Sequence, residues 1–316
     1  MKRSGVEASL RVGFAGLGRM GVLMARNIAR RGLLAGVYNR TGTKAAALAA
    51  EFHIAAYPSP ADLAADMTVI ATCVSDGNAV HDLYLAANGL LDGARPGTVL
   101  LEMSTIGPDA IHALDVLGAE RGCELIDAPV SGSIAHADAA DLTFMVGGAL
   151  SSVARLRPVF AAMGSEVFHM GAVGSGSAMK LAVNNVLYGL NQSICESLVL
   201  AERAGIDRDR AYEVFACSAA AAPFVHYRRQ AFERPGTVPP AMPVVMAEKD
   251  LALILAFATS VGAEMPQAAL NATLAEAARR AGLADHDITA IAEYLRLDCP
   301  GLRAATHGRD AEQRIE

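Results

Sequence analysis

The chain has 316 residues, which at the usual ~150 residues per domain corresponds to about two domains. Its 53% hydrophobic and 19% charged content excludes a disordered chain, and its net charge of -6 gives no reason to expect a nucleic-acid partner. The longest apolar stretch, residues 251–263, falls short of the roughly 20 residues that a membrane-spanning helix needs. Charged residues interrupt any hydrophobic segment near the N-terminus, so we expect no signal peptide, no membrane partner and a cytoplasmic location.

The first part of the chain alternates between two kinds of pattern. Short apolar runs typical of β-strands occupy residues 10–15, 34–38, 67–74, 98–103, 123–128, 142–146 and 166–169. Helical patterns between the first runs cover residues 21–31 and 44–52. This alternation predicts an α/β domain with a doubly wound parallel sheet, and strands without polar alternation are typical of a sheet covered on both faces.

The second part of the chain is predicted to be all helical. Residues 177–204 contain no proline and no strand pattern, which predicts one long helix. Its apolar residues, among them Met179 and Val186, surround most of the circumference, so we expect this helix to be central in the second domain. Prolines between residues 235 and 243 predict a loop before a helix at residues 244–261, and three glycines are C-cap candidates: Gly205, Gly262 and Gly282.

The predicted division is therefore an α/β domain at residues 10–172, an all-helical domain at 173–300 and a polar tail at 301–316. Five widely spaced cysteines, the last at Cys299, include no C-x-x-C pair, and eight histidines include no H-x-x-x-H pair. We therefore expect free thiols and no protein-bound metal.

A glycine-rich motif follows the first predicted strand and opens the first helix. It is a G-x-G-x-x-G sequence made of Gly16, Leu17, Gly18, Arg19, Met20 and Gly21. The first glycine allows a tight turn, the second lets the backbone approach a pyrophosphate, and the third lets helix and strand pack closely. The helix N-terminus then faces the phosphates. In this position the motif predicts a Rossmann-type dinucleotide-binding domain rather than a turn without a ligand.

The end of the second predicted strand bears on the choice of cofactor. NAD-binding folds place an acidic residue there, whereas this chain has Asn39, Arg40 and Thr41, with Lys44 one helical turn later. Arginine can pair with a 2'-phosphate, Thr41 can donate a hydrogen bond, and Lys44 adds positive charge. The sequence thus favours NADP over NAD, the alternative being that Arg40 is a solvated surface residue.

Two polar residues stand out on the long apolar helix. Lys180 and Asn184 are four residues apart, so they share one helix face. A buried polar pair is unfavourable unless it faces a cavity or a partner, which favours a functional role. The alternative is a structural lysine whose ammonium group reaches solvent.

Four segments occur in one order: the glycine motif, the run from Asp127 to Gly132, residues 174–185, and Lys249-Asp250-Leu251. Together they resemble the β-hydroxyacid dehydrogenases, across about residues 11–295. The resemblance implies a Rossmann domain, a long connecting helix and an all-helical domain that assembles as a homodimer or homotetramer. It also implies hydride transfer between a nicotinamide cofactor and a short, carboxylate-bearing aldehyde, keto acid or 3-hydroxyacid.

The same resemblance implies roles for particular residues. Lys180 would be the catalytic general acid and base, Asn184 would orient the substrate, and Ser131, Gly132 and the adjoining Ser133 would bind its carboxylate. Four more residues match cofactor-binding positions of the family: Val74, Ser75, Thr105 and Lys249. A lysine suits this chemistry because it both stabilises the negative charge that develops on the carbonyl oxygen and supplies the proton.

The chain also departs from the family pattern. Ser133, His136 and Ala140 stand where members commonly have glycine, and these side chains either reshape the substrate pocket or are tolerated loop changes.

Two other functions remain as alternatives. Imine reductases share the glycine motif and the two-domain plan but generally lack the lysine, and a non-catalytic cofactor-binding scaffold would have no need of Lys180 and Asn184.

Overall fold

The fold was analysed in a computed structural model that describes residues 10–297. Cys299 and the tail predicted at residues 301–316 lie outside the described residues. The chain divides into two compact units, one ending at Ala182 and the other beginning at Val183. This division falls inside the long helix, a few turns beyond the boundary expected from the sequence.

In the described part of the first unit, nine strands form one sheet: β1 (Val12–Ala15), β2 (Leu34–Tyr38), β3 (Ala55–Ala56), β4 (Val69–Thr72), β5 (Val99–Glu102), β6 (Glu124–Asp127), β7 (Val130–Ser131), β8 (Leu142–Gly147) and β9 (Gly164–Gly171). Their order is β3-β2-β1-β4-β5-β6-β8-β7, with β9 also paired to β8. Neighbours are parallel except that β8 runs antiparallel to β6 and β7. The predicted fold class is confirmed. Each predicted run contains a strand, whereas β3 and β7 are too short to leave a pattern in the sequence.

The sheet has a hydrophobic core on both faces. Val69 and Ala71 of β4 pack into one cluster, while Ile70 between them packs into another. Successive side chains of a strand point to opposite faces, so a strand covered on both faces is mostly apolar, and a polar residue in it needs a buried hydrogen-bond partner. All four residues are buried in each of β1, β4 and β5, as the sequence predicts.

Helices connect the strands of the first unit. They are α1 (Gly21–Arg30), α2 (Gly42–Phe52), α3 (Pro60–Asp66), α4 (Gly77–Leu85), α5 (Leu90–Gly93), α6 (Pro108–Glu120), α7 (Ile134–Asp138), α8 (Leu150–Arg155) and α9 (Arg157–Met163). The long helix, α10 (Ser175–Arg203), begins in this unit and continues into the second.

The described part of the second unit is helical, as predicted. After α10 come α11 (Arg208–Cys217), α12 (Pro223–Glu233), α13 (Val244–Val261), α14 (Pro266–Ala278) and α15 (Ile291–Arg296), with a π-helical segment at Arg279–Leu283 and a 3-10 turn at Ile288–Ala290. Gly262 ends α13 in the left-handed conformation expected of a C-cap glycine, and Gly205 and Gly282 also have positive φ. Among the described residues, none of the helices combines the length and apolar character needed to cross a membrane.

Helix α10 is not buried on all sides in the single chain, although apolar residues surround most of its circumference in the sequence. Leu198 and Tyr188 are buried, but Val186 is 67% exposed and Met179 is 40% exposed. An apolar residue in the sequence does not reveal which face of a helix packs on its own unit. Helix α10 therefore has one buried face and one exposed apolar face in the single chain.

Candidate functional site

The three glycines of the G-x-G-x-x-G motif differ in their surroundings. Gly16 has a φ of 99°, and a Cβ there would collide with the carbonyl oxygen of Cys73 and lie 2.8 Å from Val74 Cγ1. A Cβ at Gly21 would collide with the carbonyl oxygen of Gly16, whereas no atom of the described residues lies within 4 Å of a Cβ at Gly18. Gly16 and Gly21 therefore allow close packing within the chain, and Gly18 leaves its backbone open to a ligand. This arrangement, at the start of α1, fits a pyrophosphate.

Asn39 holds the glycine loop to the end of β2. Its Oδ1 accepts a hydrogen bond from the backbone N–H of Leu17 at 2.8 Å, and its Nδ2 donates to the carbonyl oxygen of Thr41 at 3.1 Å. Both ends of the amide are thus occupied by backbone groups. The sequence marked Asn39 as a cofactor-binding residue, and its observed contacts are with the loop that would bind the cofactor.

Arg40, Thr41 and Lys44 lie exposed around the N-terminus of α2. The first turn of α2 contains no acidic residue, and Thr41 does not cap the helix with its side chain. Within residues 10–297, no hydrogen-bond or ion-pair partner is found for the Arg40 guanidinium. Two cations, a hydroxyl and the helix N-terminus together have the charge and the donors to bind a phosphate.

The loops after β4 and β5 are joined by hydrogen bonds. The backbone N–H of Val74 donates to Ser104 Oγ at 2.9 Å, and the backbone N–H of Ser104 donates to Glu102 Oε1 at 2.6 Å. Thr105, the next residue, is partly buried in the same loop. The positions expected to bind the cofactor at Val74 and Thr105 are therefore fixed relative to each other.

A buried polar network supports these loops. Thr72 Oγ1 is 2.6 Å from Glu102 Oε2 and 2.9 Å from the Tyr84 hydroxyl. Burial raises the pKa of Glu102, while hydrogen bonds from Ser104 and Thr72 oppose that rise. Ser75, the residue after Val74, donates its hydroxyl to Asp76 Oδ2 at 2.6 Å.

Ser133 and His136, two of the departures from the family pattern, are bonded to each other. Ser133 Oγ lies 2.6 Å from His136 Nδ1, which also accepts the backbone N–H of Ser133 at 3.1 Å, while the His136 backbone N–H donates to Ser133 Oγ at 3.4 Å. The pair caps α7 in the manner of a capping box. The third departure, Ala140, has a φ of 56°, a left-handed conformation in which glycine would be unstrained.

Asn184 belongs to a hydrogen-bonded cluster in the second unit. Asp250 Oδ2 accepts from Asn184 Nδ2 at 2.8 Å and from the Tyr188 hydroxyl at 2.6 Å, and Lys249 Nζ lies 2.9 Å from Asp250 Oδ1. Asn184 and Asp250 are buried. Burial and the charge of Asp250 raise the pKa of Tyr188, which keeps its phenol protonated as a donor.

Sequence reasoning did not assign a role to Asp250 or Tyr188. The sequence does show a carboxylate at the start of the apolar stretch of α13. Burying a carboxylate without hydrogen-bond donors is energetically unfavourable, so this position could have suggested a buried polar contact. Its donors come from α10, more than sixty residues earlier in the chain, so only the tertiary structure shows them. Asp250 fixes the orientation of the Asn184 amide and balances the charge of Lys249.

The predicted site residues fall into two groups. The first unit holds the cofactor-loop residues at the carboxyl ends of β1, β2, β4 and β5, together with Ser131, Gly132 and Lys180. The second unit holds Asn184 and Lys249. The carboxyl edge of a doubly wound sheet is where such folds bind their ligands. Across residues 10–297, no group of three or more His, Cys, Asp or Glu side chains is placed to hold a metal ion.

Two family models match consecutive parts of the chain. The NAD binding domain of 6-phosphogluconate dehydrogenase matches residues 11–171, and the model for NAD-binding of NADP-dependent 3-hydroxyisobutyrate dehydrogenase matches residues 174–295. The first model alone covers slightly more than half of the chain.

Two curated relatives match over nearly their whole length. A 2-(hydroxymethyl)glutarate dehydrogenase of Eubacterium barkeri is 29% identical, covering 90% of this chain and 95% of the relative. A probable 3-hydroxyisobutyrate dehydrogenase of Mycobacterium tuberculosis is 32% identical, covering 90% and 97%. The solved structure of the Mycobacterium tuberculosis 3-hydroxyisobutyrate dehydrogenase with L-serine has a TM-score of 0.79 at 31% identity and covers 91% of this chain and 99% of that chain.

Proposed function

The chain belongs to the β-hydroxyacid dehydrogenase family and is an NAD(P)-dependent oxidoreductase of that family, and on this premise we propose its substrate, its cofactor preference and its catalytic residues. We propose that it reduces a short, carboxylate-bearing aldehyde or keto acid with NADPH and oxidises the matching 3-hydroxyacid in reverse. The observation that carries the proposal is Lys180 and Asn184 on one face of α10, with Asn184 anchored by Asp250.

The preference for NADP rests on the N-terminus of α2. Arg40, Thr41 and Lys44 supply two cations and a hydroxyl where an NAD-binding fold would place a carboxylate. A 2'-phosphate is the cofactor group that would pair with Arg40, because a guanidinium binds phosphate with two parallel hydrogen bonds.

The residues have separate tasks in the reaction. When bound, the nicotinamide supplies or accepts the hydride. The Ser131 hydroxyl and the Gly132 backbone N–H bind the substrate carboxylate, with the Ser133 backbone beside them. The Lys180 ammonium stabilises the negative charge that develops on the carbonyl oxygen and donates its proton there, and the neutral amine takes the proton back in oxidation. Asn184, fixed by Asp250, orients the substrate.

The test is a panel of semialdehydes, glyoxylate, 3-hydroxyisobutyrate, L-serine and a cyclic imine, each assayed with both cofactors. On the best substrate, Lys180→Ala should lower kcat by at least the ~10²-fold typical of general acid-base loss while NADPH affinity stays close to wild type. Lys180→Arg should fail as well, because a guanidinium does not release its proton near neutral pH. Asn184→Ala should be milder and act partly on KM.

Met179→Ala is the matched control, because it shortens a neighbouring, exposed side chain of α10 without removing a titratable group. It should leave kcat unchanged. Wild-type kcat in Lys180→Ala would refute the proposed mechanism. Turnover of the cyclic imine alone would replace the proposal with imine reduction, and no turnover of any substrate despite cofactor binding would favour a scaffold.

A further inference from the structure

The buried carboxylate of Asp127 connects the end of β6 to the start of α10. Its Oδ1 accepts a hydrogen bond from the backbone N–H of Gly174 at 2.8 Å, and its Oδ2 accepts one from the backbone N–H of Ser177 at 2.7 Å. The first N–H groups of a helix have no partner inside the helix, and a carboxylate is a strong acceptor for them. Asp127 therefore caps the helix that carries Lys180.

The start of α10 packs closely against the backbone of the neighbouring strands. A Cβ at Gly147 of β8 would collide with Asp127 Oδ1. A Cβ at Gly176 would collide with the carbonyl oxygen of Met145 and lie 2.8 Å from that of Asp127. The first turn of α10 is thus held against both β6 and β8 at backbone-to-backbone distance, which only glycine permits.

The Asp127 charge is balanced by backbone dipoles. Burial raises the pKa of Asp127, and the N–H groups of Ser177 and Gly174 oppose that rise. A carboxylate that depends on these two donors keeps both of them in place, because losing either one leaves a buried charge partly unsolvated.

The residues on either side of these contacts are those assigned to catalysis. Ser131 and Gly132 follow Asp127 closely in the chain, and Lys180 lies one helical turn after Ser177. All of them belong to the first compact unit. We propose that Asp127 is a positioning residue that fixes the proton donor, Lys180, relative to the carboxylate-binding turn at Ser131 and Gly132. This inference rests on the proposed function in taking Lys180 as the proton donor.

The expected consequence of disturbing Asp127 is kinetic. In Asp127→Asn, the amide oxygen still accepts one of the two N–H groups, but the amide nitrogen faces the other as a second donor, so the helix start must shift. A misplacement of about 1 Å can cost on the order of 10²-fold in rate. Because part of the cap remains, we expect kcat to fall at least about 10-fold, with a raised KM for the carboxylate substrate.

The experiment compares Asp127→Asn with Asp207→Asn. Asp207 is an exposed carboxylate that also caps a helix, α11, its Oδ1 accepting the backbone N–H groups of Asp209 and Arg210 at 3.0 and 3.3 Å, and it has no assigned role in the reaction. NADPH affinity is measured by fluorescence titration, and kcat is expressed per NADPH-binding site so that misfolded protein does not count. We expect the kcat loss in Asp127→Asn alone, with the dissociation constant for NADPH within about twofold of wild type in both variants.

A second variant keeps the inference testable if Asp127→Asn does not fold. Gly176→Ala leaves the carboxylate intact but pushes the helix start away from β8, and it should lower kcat in the same way. A wild-type kcat per NADPH-binding site in Asp127→Asn would overturn the inference. If Asp127→Asn binds no NADPH, a wild-type kcat in Gly176→Ala would overturn it instead. If Lys180→Ala also retains kcat, the proposed function has failed. If Lys180→Ala is inactive, only the role of Asp127 has failed.

Discussion

Replacing Arg40 by alanine should weaken the binding of NADPH and leave the binding of NADH unchanged. Arg40 is exposed beside the N-terminus of α2, with Lys44 one turn further along the helix. A hydrogen bond to a charged group contributes about 1.5 to 3 kcal/mol, and solvent exposure places Arg40 near the lower limit. About 1.5 kcal/mol corresponds to a tenfold weaker binding of NADPH. NADH lacks the 2'-phosphate, so its affinity should not change.

The assay is fluorescence titration of NADPH and NADH with wild type, Arg40→Ala and Arg31→Ala. Arg31 is an exposed arginine just after α1, so its replacement removes the same charge from the same unit without touching α2. The NADPH effect of Arg40→Ala should shrink as salt is raised, because exposed charges are screened. Equal losses for NADPH and NADH, or an equal effect in Arg31→Ala, would refute the assignment of the 2'-phosphate to Arg40.

Two further predictions concern stability and assembly. Ala140→Gly should stabilise the protein by about 0.5 to 1 kcal/mol in urea unfolding, because relief of ~1–2 kcal/mol of left-handed strain exceeds the greater flexibility of unfolded glycine. Gly97→Ala should lower the free energy of unfolding, since Gly97 has a φ of 88° with open space around it among the described residues. Destabilisation by Ala140→Gly would contradict the strain argument. We also expect a homodimer or homotetramer, because Val186 and Leu200 of α10 are 67% and 72% exposed. Sedimentation equilibrium tests this, and a monomer at micromolar concentration would overturn it.

The sequence predicts the first unit well because its signals are local. A G-x-G-x-x-G motif after an apolar run indicates both a turn and a helix start, and buried parallel strands leave uninterrupted apolar runs. Strand β7 was missed since two residues, Val130 and Ser131, cannot show a period. The antiparallel pairing of β8 was missed for a different reason. Pairing direction depends on how the chain returns to the sheet, and no local pattern records it.

The candidate site was predictable only in its outline. Asp127 and Asp250 were visible as members of sequence motifs, but their roles depend on hydrogen-bond donors elsewhere in the chain. The donors to Asp127 lie about fifty residues away, and those to Asp250 lie more than sixty residues away. The sequence marked Asn39 as a cofactor-binding residue. Only the structure shows that its side chain accepts a hydrogen bond from the backbone of Leu17 and so holds the glycine loop in place. The link between Ser133 and His136 is local, and their three-residue spacing could have suggested a helix cap.

The unequal surroundings of the three motif glycines affect how this enzyme tolerates mutation. Side chains at Gly16 and Gly21 would meet backbone atoms of the chain itself, so substitutions there would reduce the yield of folded protein whether or not a cofactor is present. A Cβ at Gly18 would meet no atom of residues 10–297 within 4 Å, so a small side chain there would obstruct only a ligand. A screen that scores abundance alone would therefore accept many residues at Gly18. Only a screen that also scores cofactor binding would reveal that all three glycines are constrained.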